Sequence, residues 1–192
     1  MADAVNSSTH IHQLYPDILL EIFRSTLAEE WTDTITLPFV LSQVCVKWRQ
    51  IAISSPRLWT EIRIPEDPLE YSEDNFAKCL PILFERSGSL PLIISYDCEH
   101  KSEENGDGAI ISSLLSQVHR WGDVEFRFYT FPPFENLHAP HLRRFVMRHV
   151  EDDTDGPAPF PFAYCPFLER LCWPWVQTLP AKSDVLNWDQ IV

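Results

Sequence analysis

Ala139-Pro140-His141-Leu142-Arg143-Arg144-Phe145-Val146-Met147 superimposes without gaps on Cys165-Pro166-Phe167-Leu168-Glu169-Arg170-Leu171-Cys172-Trp173, 26 residues later. Both carry an apolar-x-x-apolar-x-apolar frame: Leu142, Phe145, Met147 and Leu168, Leu171, Trp173. Trp121, Val124 and Phe126 fit the same frame 21 residues before Leu142. Leu90 and Ile93 fit its first half 31 residues earlier still, and Trp188 and Ile191 begin it again 20 residues after Leu168. Apolar positions two apart suit a strand that buries alternate side chains. One such strand with its return segment cannot cover its apolar face, whereas stacking on neighbouring units does.

Recurrence at 20–29 residues is the range of leucine-rich repeats, and the region 76–192 is leucine-rich-repeat-like. The spacing is irregular, and the asparagine that usually follows the strand is absent. An ordinary α/β domain with several similar strands is the other arrangement the pattern allows. The expected fold is therefore α+β or α/β: a small helical unit, then a short, irregular solenoid. The last frame stops at Val192, where its strand would begin. An array cut there exposes an apolar edge, so the expectation is an incomplete array, truncated at its C-terminal end.

Two blocks upstream read as short helices. In the first, Leu14-Tyr15-Pro16-Asp17-Ile18-Leu19-Leu20-Glu21-Ile22-Phe23, Pro16 suits a first helical turn and Asp17 puts negative charge at the positive end of the dipole. Ile18 and Ile22, with Leu19, Phe23 and Leu27, make one broad apolar stripe. A second helix starts at Pro38, with Val40, Leu41, Val44, Cys45 and Trp48 on one face and Ile51 and Ala52 continuing it. Pro56 ends it, because the residue before a proline disfavours helix. Such short helices hold more apolar surface than they can hide in themselves, which suggests docking.

Residues 1–10 are small and polar and read as a disordered tail. Residues 29–36 read as a loop and 63–75 as an acidic, proline-bearing linker. Thr60–Ile64 alternates like a strand, as do 90–96 and 124–129. Helices are expected over 76–86, kinked by or starting at Pro81, and over 109–118.

The bulk numbers narrow the function. Net charge is −13 across 192 residues, so a phosphate backbone would be repelled and nucleic acid is not an expected partner. No apolar run approaches the ~18 residues of a membrane span, and the N-terminus has no signal-peptide pattern, so no membrane partner is expected. Five cysteines with no CxxC pair argue against a disulfide framework and for a reducing compartment.

No catalytic or cofactor motif stands out. Glu151, Asp153, Asp155 and Gly156 faintly resemble a calcium loop, but its bidentate position falls on Phe162. His138 and His141 have no further ligand at usable spacing. GxSxG, a phosphate-cradling glycine loop and HExxH are all missing from the sequence. The expected protein has no cofactor, no metal and no catalysis of its own; a small hydrolase built on a Cys/His or Asp/His pair is the weakest alternative.

Taken together, LYPDILLEIF and LSQVCVKWRQIAISSPRLW resemble an F-box, over residues 11–62. The later phrases FERSGSLPLIIS, HRWGDVEF and APHLRRFVM are similar to the F-box proteins common in mushroom-forming fungi, which carry degenerate leucine-rich repeats. The resemblance implies a substrate receptor of a Skp–cullin–F-box ubiquitin ligase, cytoplasmic or nuclear. Its F-box would bind a Skp-type adaptor and through it a cullin, and its repeats would recruit a target protein. It implies adaptor-binding roles for Leu14, Pro16, Ile18, Leu19, Ile22, Phe23, Leu41, Val44, Cys45 and Trp48. Leu58 and Trp59 would close the unit and pack it on the repeats. By their positions, Leu14, Pro16 and Leu41 favour the interface, while Ile18, Ile22 and Trp48 divide between interface and core. Tyr15 stands where that group usually has a second proline, and Asp17 where it more often has glutamate. The same sequence is compatible with an F-box scaffold that does no ligase work, or with a truncated interaction protein without its own target.

Overall fold

The computed structural model describes residues 11–27, 37–64, 73–98, 106–128, 132, 134–149, 157–180 and 186–191. The expected tail at 1–10, the loop at 29–36, most of the linker and the acidic run at 151–155 lie outside them.

Three short helices come first: α1 (Pro16–Leu27), α2 (Leu37–Val44) and α3 (Val46–Ile53). Pro16 opens α1 as the sequence suggests. The second helical block is not continuous. Cys45 is extended (φ −159°, ψ 170°) and caps α3, its Sγ accepting from the Trp48 N–H at 3.5 Å. Arg49 Nε donates to the Ser42 carbonyl at 2.9 Å, so the end of α2 is satisfied by a side chain rather than by another helical turn. Val44 and Trp48 therefore do not share one helical face.

A turn of 3-10 helix (Pro56–Trp59) leads into strand β1 (Glu61–Ile64). Then follow α4 (Glu73–Arg86), β2 (Leu92–Cys98), α5 (Gly106–Leu115), β3 (Trp121–Phe128), β4 (Leu137–His138), β5 (Arg144–His149), β6 (Phe162–Tyr164) and β7 (Arg170–Cys172). Helix α4 starts before Pro81 and runs through it. Gly88 ends it at φ +61°, where only glycine sits without strain. The strand expected from residue 60 crosses the boundary drawn at residue 62 and joins the sheet.

Strands β1, β2, β3, β5 and β7 form one sheet in that order, and every pairing is parallel. β4 and β6 pair, also in parallel, as a small second sheet. The chain is thus a mixed α/β protein. The repeat frame appears as register: Val124 pairs with Phe145 and Phe145 with Leu171, while Phe126 pairs with Met147. The 26-residue offset is also a structural repeat, since Leu142 N–H donates to Ala139 O and Leu168 N–H to Cys165 O at 3.2 and 3.3 Å.

Two frames lie differently from the sequence reading. In β2 the buried residues are Leu92, Ile94 and Tyr96, and Ile93 faces outward. The register slips between Leu92 and Ile93, beside Gly122, where an added Cβ would lie 3.1 Å from Pro91. At the C-terminal end, Trp188 sits exposed in a turn, and it is Ile191 that packs on the core. A further frame lies at the start of the sheet: Trp59, Ile62 and Ile64 fit it, and all three are buried in β1 and the turn before it.

Inward residues of the sheet, with Phe76, Leu80 and Leu83 of α4 and Ile110, Ile111 and Leu114 of α5, make one hydrophobic cluster. Leu19, Phe23, Leu41, Ile51 and Trp59 belong to the same cluster. Arg120 is buried without a carboxylate. Its guanidinium instead donates to Leu90 O, Phe84 O, Gln117 Oε1 and Ser87 Oγ, tying the end of α4 to the start of β3. Burial alone holds its pKa below the usual arginine value.

Candidate functional site

Helix α1 divides into two faces. Leu19 and Phe23 are 0% and 1% exposed, and the Phe23 ring meets Trp48 at 4.8 Å. Ile18 and Ile22, one residue before each, are 51% and 40% exposed. With Tyr15 they form an exposed i, i+3, i+7 stripe. Pro16 is exposed at the helix start and Leu14 half-buried.

The other expected docking residues separate in the same way. Leu41 is buried and belongs to the core, Val44 is exposed, and Cys45 and Trp48 are half-buried. Leu19, Phe23 and Leu41 hold the surface in place and cannot present themselves to a partner without the helices separating. Leu41, expected at the interface, packs inward in the chain, while Ile18 and Ile22, expected to divide between interface and core, are the more exposed. Val40 and Val46, outside the expected set, are exposed as well. Their signal in the sequence was an excess of apolar residues around the whole of α2 and the start of α3.

A groove of about 770 Å³ opens between the start of α1 and α3, lined by Pro16, Lys47, Arg49, Ile51 and Ile53. Lys47 Nζ fixes one wall by donating to Leu14 O at 2.6 Å. The Trp48 indole N–H is buried without a hydrogen-bond partner. Leu58 and Trp59 are fully buried. The Trp59 ring is met edge-on by Phe39 at 5.2 Å and covered by the Arg86 guanidinium at 4.3 Å. It thereby joins α2, α3 and α4.

No protein-family model, curated protein or solved structure matches this chain. The site therefore rests on its own geometry.

The groups that chemistry would need are scattered. Among the described residues no three His, Cys, Asp or Glu side chains come together to hold a metal ion. His138 stacks on Tyr164, while His141 lines a different groove with His119 and Glu85. Cys165 is buried, which pushes its thiol up to about 12 and keeps it protonated at neutral pH. Among the described residues no helix is long and apolar enough to cross a membrane.

The second candidate surface is the outer face of the five-stranded sheet. α-Helices usually cover both faces of a parallel sheet. Here the face away from the core carries charged, partly exposed side chains, and among its described residues only Val146 is buried. Arg144 bridges Asp123 at 2.7 Å and Glu125 at 2.6 Å, and Arg148 meets Glu125 at 2.9 Å. Burial pushes the Glu125 carboxyl up, but the two arginines outweigh it and hold it below the usual glutamate value.

Proposed function

We propose that the chain is a non-catalytic substrate-receptor subunit of a Skp–cullin–F-box ubiquitin ligase. Residues 11–62 act as the F-box and bind a Skp-type adaptor that carries the cullin. The parallel strands act as a short leucine-rich-repeat-like array that recruits a target protein.

The exposed Ile18–Ile22 stripe carries this reading. It is raised on a core of Leu19, Phe23 and Leu41, in the block whose sequence resembles an adaptor-docking helix. An exposed apolar helix face suits helix-in-groove recognition. Solenoid arrays commonly present an exposed binding surface, and the charged, partly exposed sheet face fits that use.

Co-expression with a Skp-type adaptor and recovery on the adaptor's tag tests it. The wild-type chain co-purifies in stoichiometric amount, and Ile18→Ser, Ile22→Ser abolishes recovery while leaving the circular dichroism spectrum unchanged. Failure of the folded wild-type chain to associate would overturn the assignment. Adaptor recovery without cullin would favour the scaffold alternative.

A further inference from the structure

The outer sheet face is electrically lopsided. Its residues form cross-strand rows fixed by the register, the first running Glu61, Ile93, Asp123, Arg144, Arg170. On β2 and β3 it carries Asp97, Asp123 and Glu125 against a single cation, Arg127. On β5 and β7 it carries Arg144, Arg148 and Arg170 and no acid. This is a cationic strip on a chain whose net charge is −13.

Two of the three arginines are held from the β3 side by Asp123 and Glu125. The exposed Arg170 guanidinium makes no ion pair or side-chain hydrogen bond among the described residues. The register sets Arg170 directly opposite Arg144, and like charges so placed disfavour the pairing. Asp123 and Glu125 already offset the Arg144 charge, which leaves Arg170 as the cation an outside anion would neutralise.

The spacing selects the kind of anion. Arg148 lies four residues further along the strand direction than the Arg144–Arg170 pair, or about 13 Å at ~3.3 Å per residue. One small ion cannot reach both, whereas an extended chain with acidic side chains four residues apart can. Between them lie Val146 and the exposed Cys172, paired in register, an uncharged floor for such a chain.

We propose that the β5–β7 side of the outer sheet face binds an acidic, extended peptide segment of a partner protein, with carboxylates on Arg170 and Arg148. The inference rests on the receptor reading only in calling that partner the ligase target. The peptide is bound by charge-assisted hydrogen bonds from the arginines. Its recognition is weakened by salt.

The test is fluorescence anisotropy of the full chain with a fluorescein-labelled decapeptide bearing glutamates at positions 3 and 7. The same peptide with glutamines is the control. The glutamate peptide binds at least ~10-fold more tightly at low salt, and Arg170→Glu removes that advantage. Arg170→Gln weakens it by a smaller factor, and Arg57→Glu, on the exposed turn before β1, leaves it intact. Equal binding of the two peptides overturns the proposal, as does unchanged binding by folded Arg170→Glu and Arg148→Glu chains. Binding confined to a phosphoserine version also overturns it, by making phosphate the required group. Adaptor recovery is measured on the same samples. Peptide binding by a chain that never recruits adaptor would remove the ligase reading and leave this one standing.

Discussion

Trp59 and Trp121 hold equivalent places in two units of the chain, those of β1 and β3, with α4 and β2 between them. The Trp59 indole N–H donates to Ala52 O at 2.8 Å, and the Trp121 indole N–H to Leu114 O at 3.1 Å. Each acceptor lies seven residues back, near the end of a helix, with a turn of 3-10 helix between. Each tryptophan is fully buried and opens the same apolar frame. The sequence α3–turn–β1 is therefore built like α5–turn–β3. The last helix of the N-terminal unit is at the same time the return segment of the first sheet unit. That shared element explains why the hydrophobic cluster runs unbroken from α1 to the later strands.

Replacing either indole by phenylalanine should expose this equivalence. Trp59→Phe and Trp121→Phe keep most of the apolar volume but remove one of two donors from each carbonyl, leaving Ala52 O with the Ser55 N–H and Leu114 O with the Gln117 N–H. Each should lose about 0.5–1.5 kcal/mol, the net contribution of one intramolecular hydrogen bond. Urea unfolding followed by far-ultraviolet circular dichroism measures it. Because Trp59 belongs to both parts, its variant should still unfold in a single transition. Two separated transitions would contradict the shared-element description.

The adjacent residues Ile18 and Leu19 should respond in opposite ways. Leu19→Ala removes a fully buried side chain and should destabilise by about 2–5 kcal/mol. Ile18→Ser changes a half-exposed side chain and should stay within about 0.5 kcal/mol of wild type. Thermal unfolding of the two variants reads the difference directly. A large loss in Ile18→Ser would mean that the stripe is packed within the chain.

These residues also show how far the sequence could be read. Strand positions were legible where the period-two frame was regular, at Val124, Phe145 and Leu171. It was misread at Leu90 and Ile93, because a slip in register leaves no mark on composition, although Gly122 opposite it was a hint. Trp59, Ile62 and Ile64 were missed because Trp59 already had a role as the closing residue of the helical block. On α1 the stripe was correctly seen but not divided. Helical periodicity gives the width of an apolar face, and only the packing of Trp48 and Leu41 decides which half is covered. The break at Cys45 was hidden for a similar reason: neither glycine nor proline marks it, and it depends on the Arg49–Ser42 hydrogen bond between side chain and backbone.

Arg86 should couple to Trp59 beyond simple burial. Its guanidinium lies 4.3 Å from the Trp59 ring centroid and 5.7 Å from that of Phe39. A desolvated cation over an indole contributes up to about 2 kcal/mol. A double-mutant cycle with Arg86→Met and Trp59→Leu should return a coupling of about 1–2 kcal/mol. Arg86→Lys should recover only part of it, since a planar guanidinium stacks on the ring and an ammonium does not. Additive losses in the cycle would show that the ring contact contributes nothing of its own.

Glu125 should make the sheet acid-sensitive. Burial raises its pKa, and Arg144 and Arg148 together lower it further, to a folded value below the ordinary 4.5. A carboxylate lowered in this way contributes its full stability above the unfolded value. The contribution is lost as pH falls below 4.5 and through the lowered folded value. Wild type should therefore lose more urea stability between pH 7 and pH 3 than Glu125→Gln, whose neutral amide has no proton to take up. The two should converge toward the acid end, where the wild-type side chain is also neutral. Arg144→Gln removes the strongest lowering influence and should shrink the pH dependence toward that of Glu125→Gln. Parallel pH profiles for wild type and Glu125→Gln would show that the Arg144–Glu125–Arg148 cluster does not bind Glu125's charge more tightly in the folded chain than water does in the unfolded one.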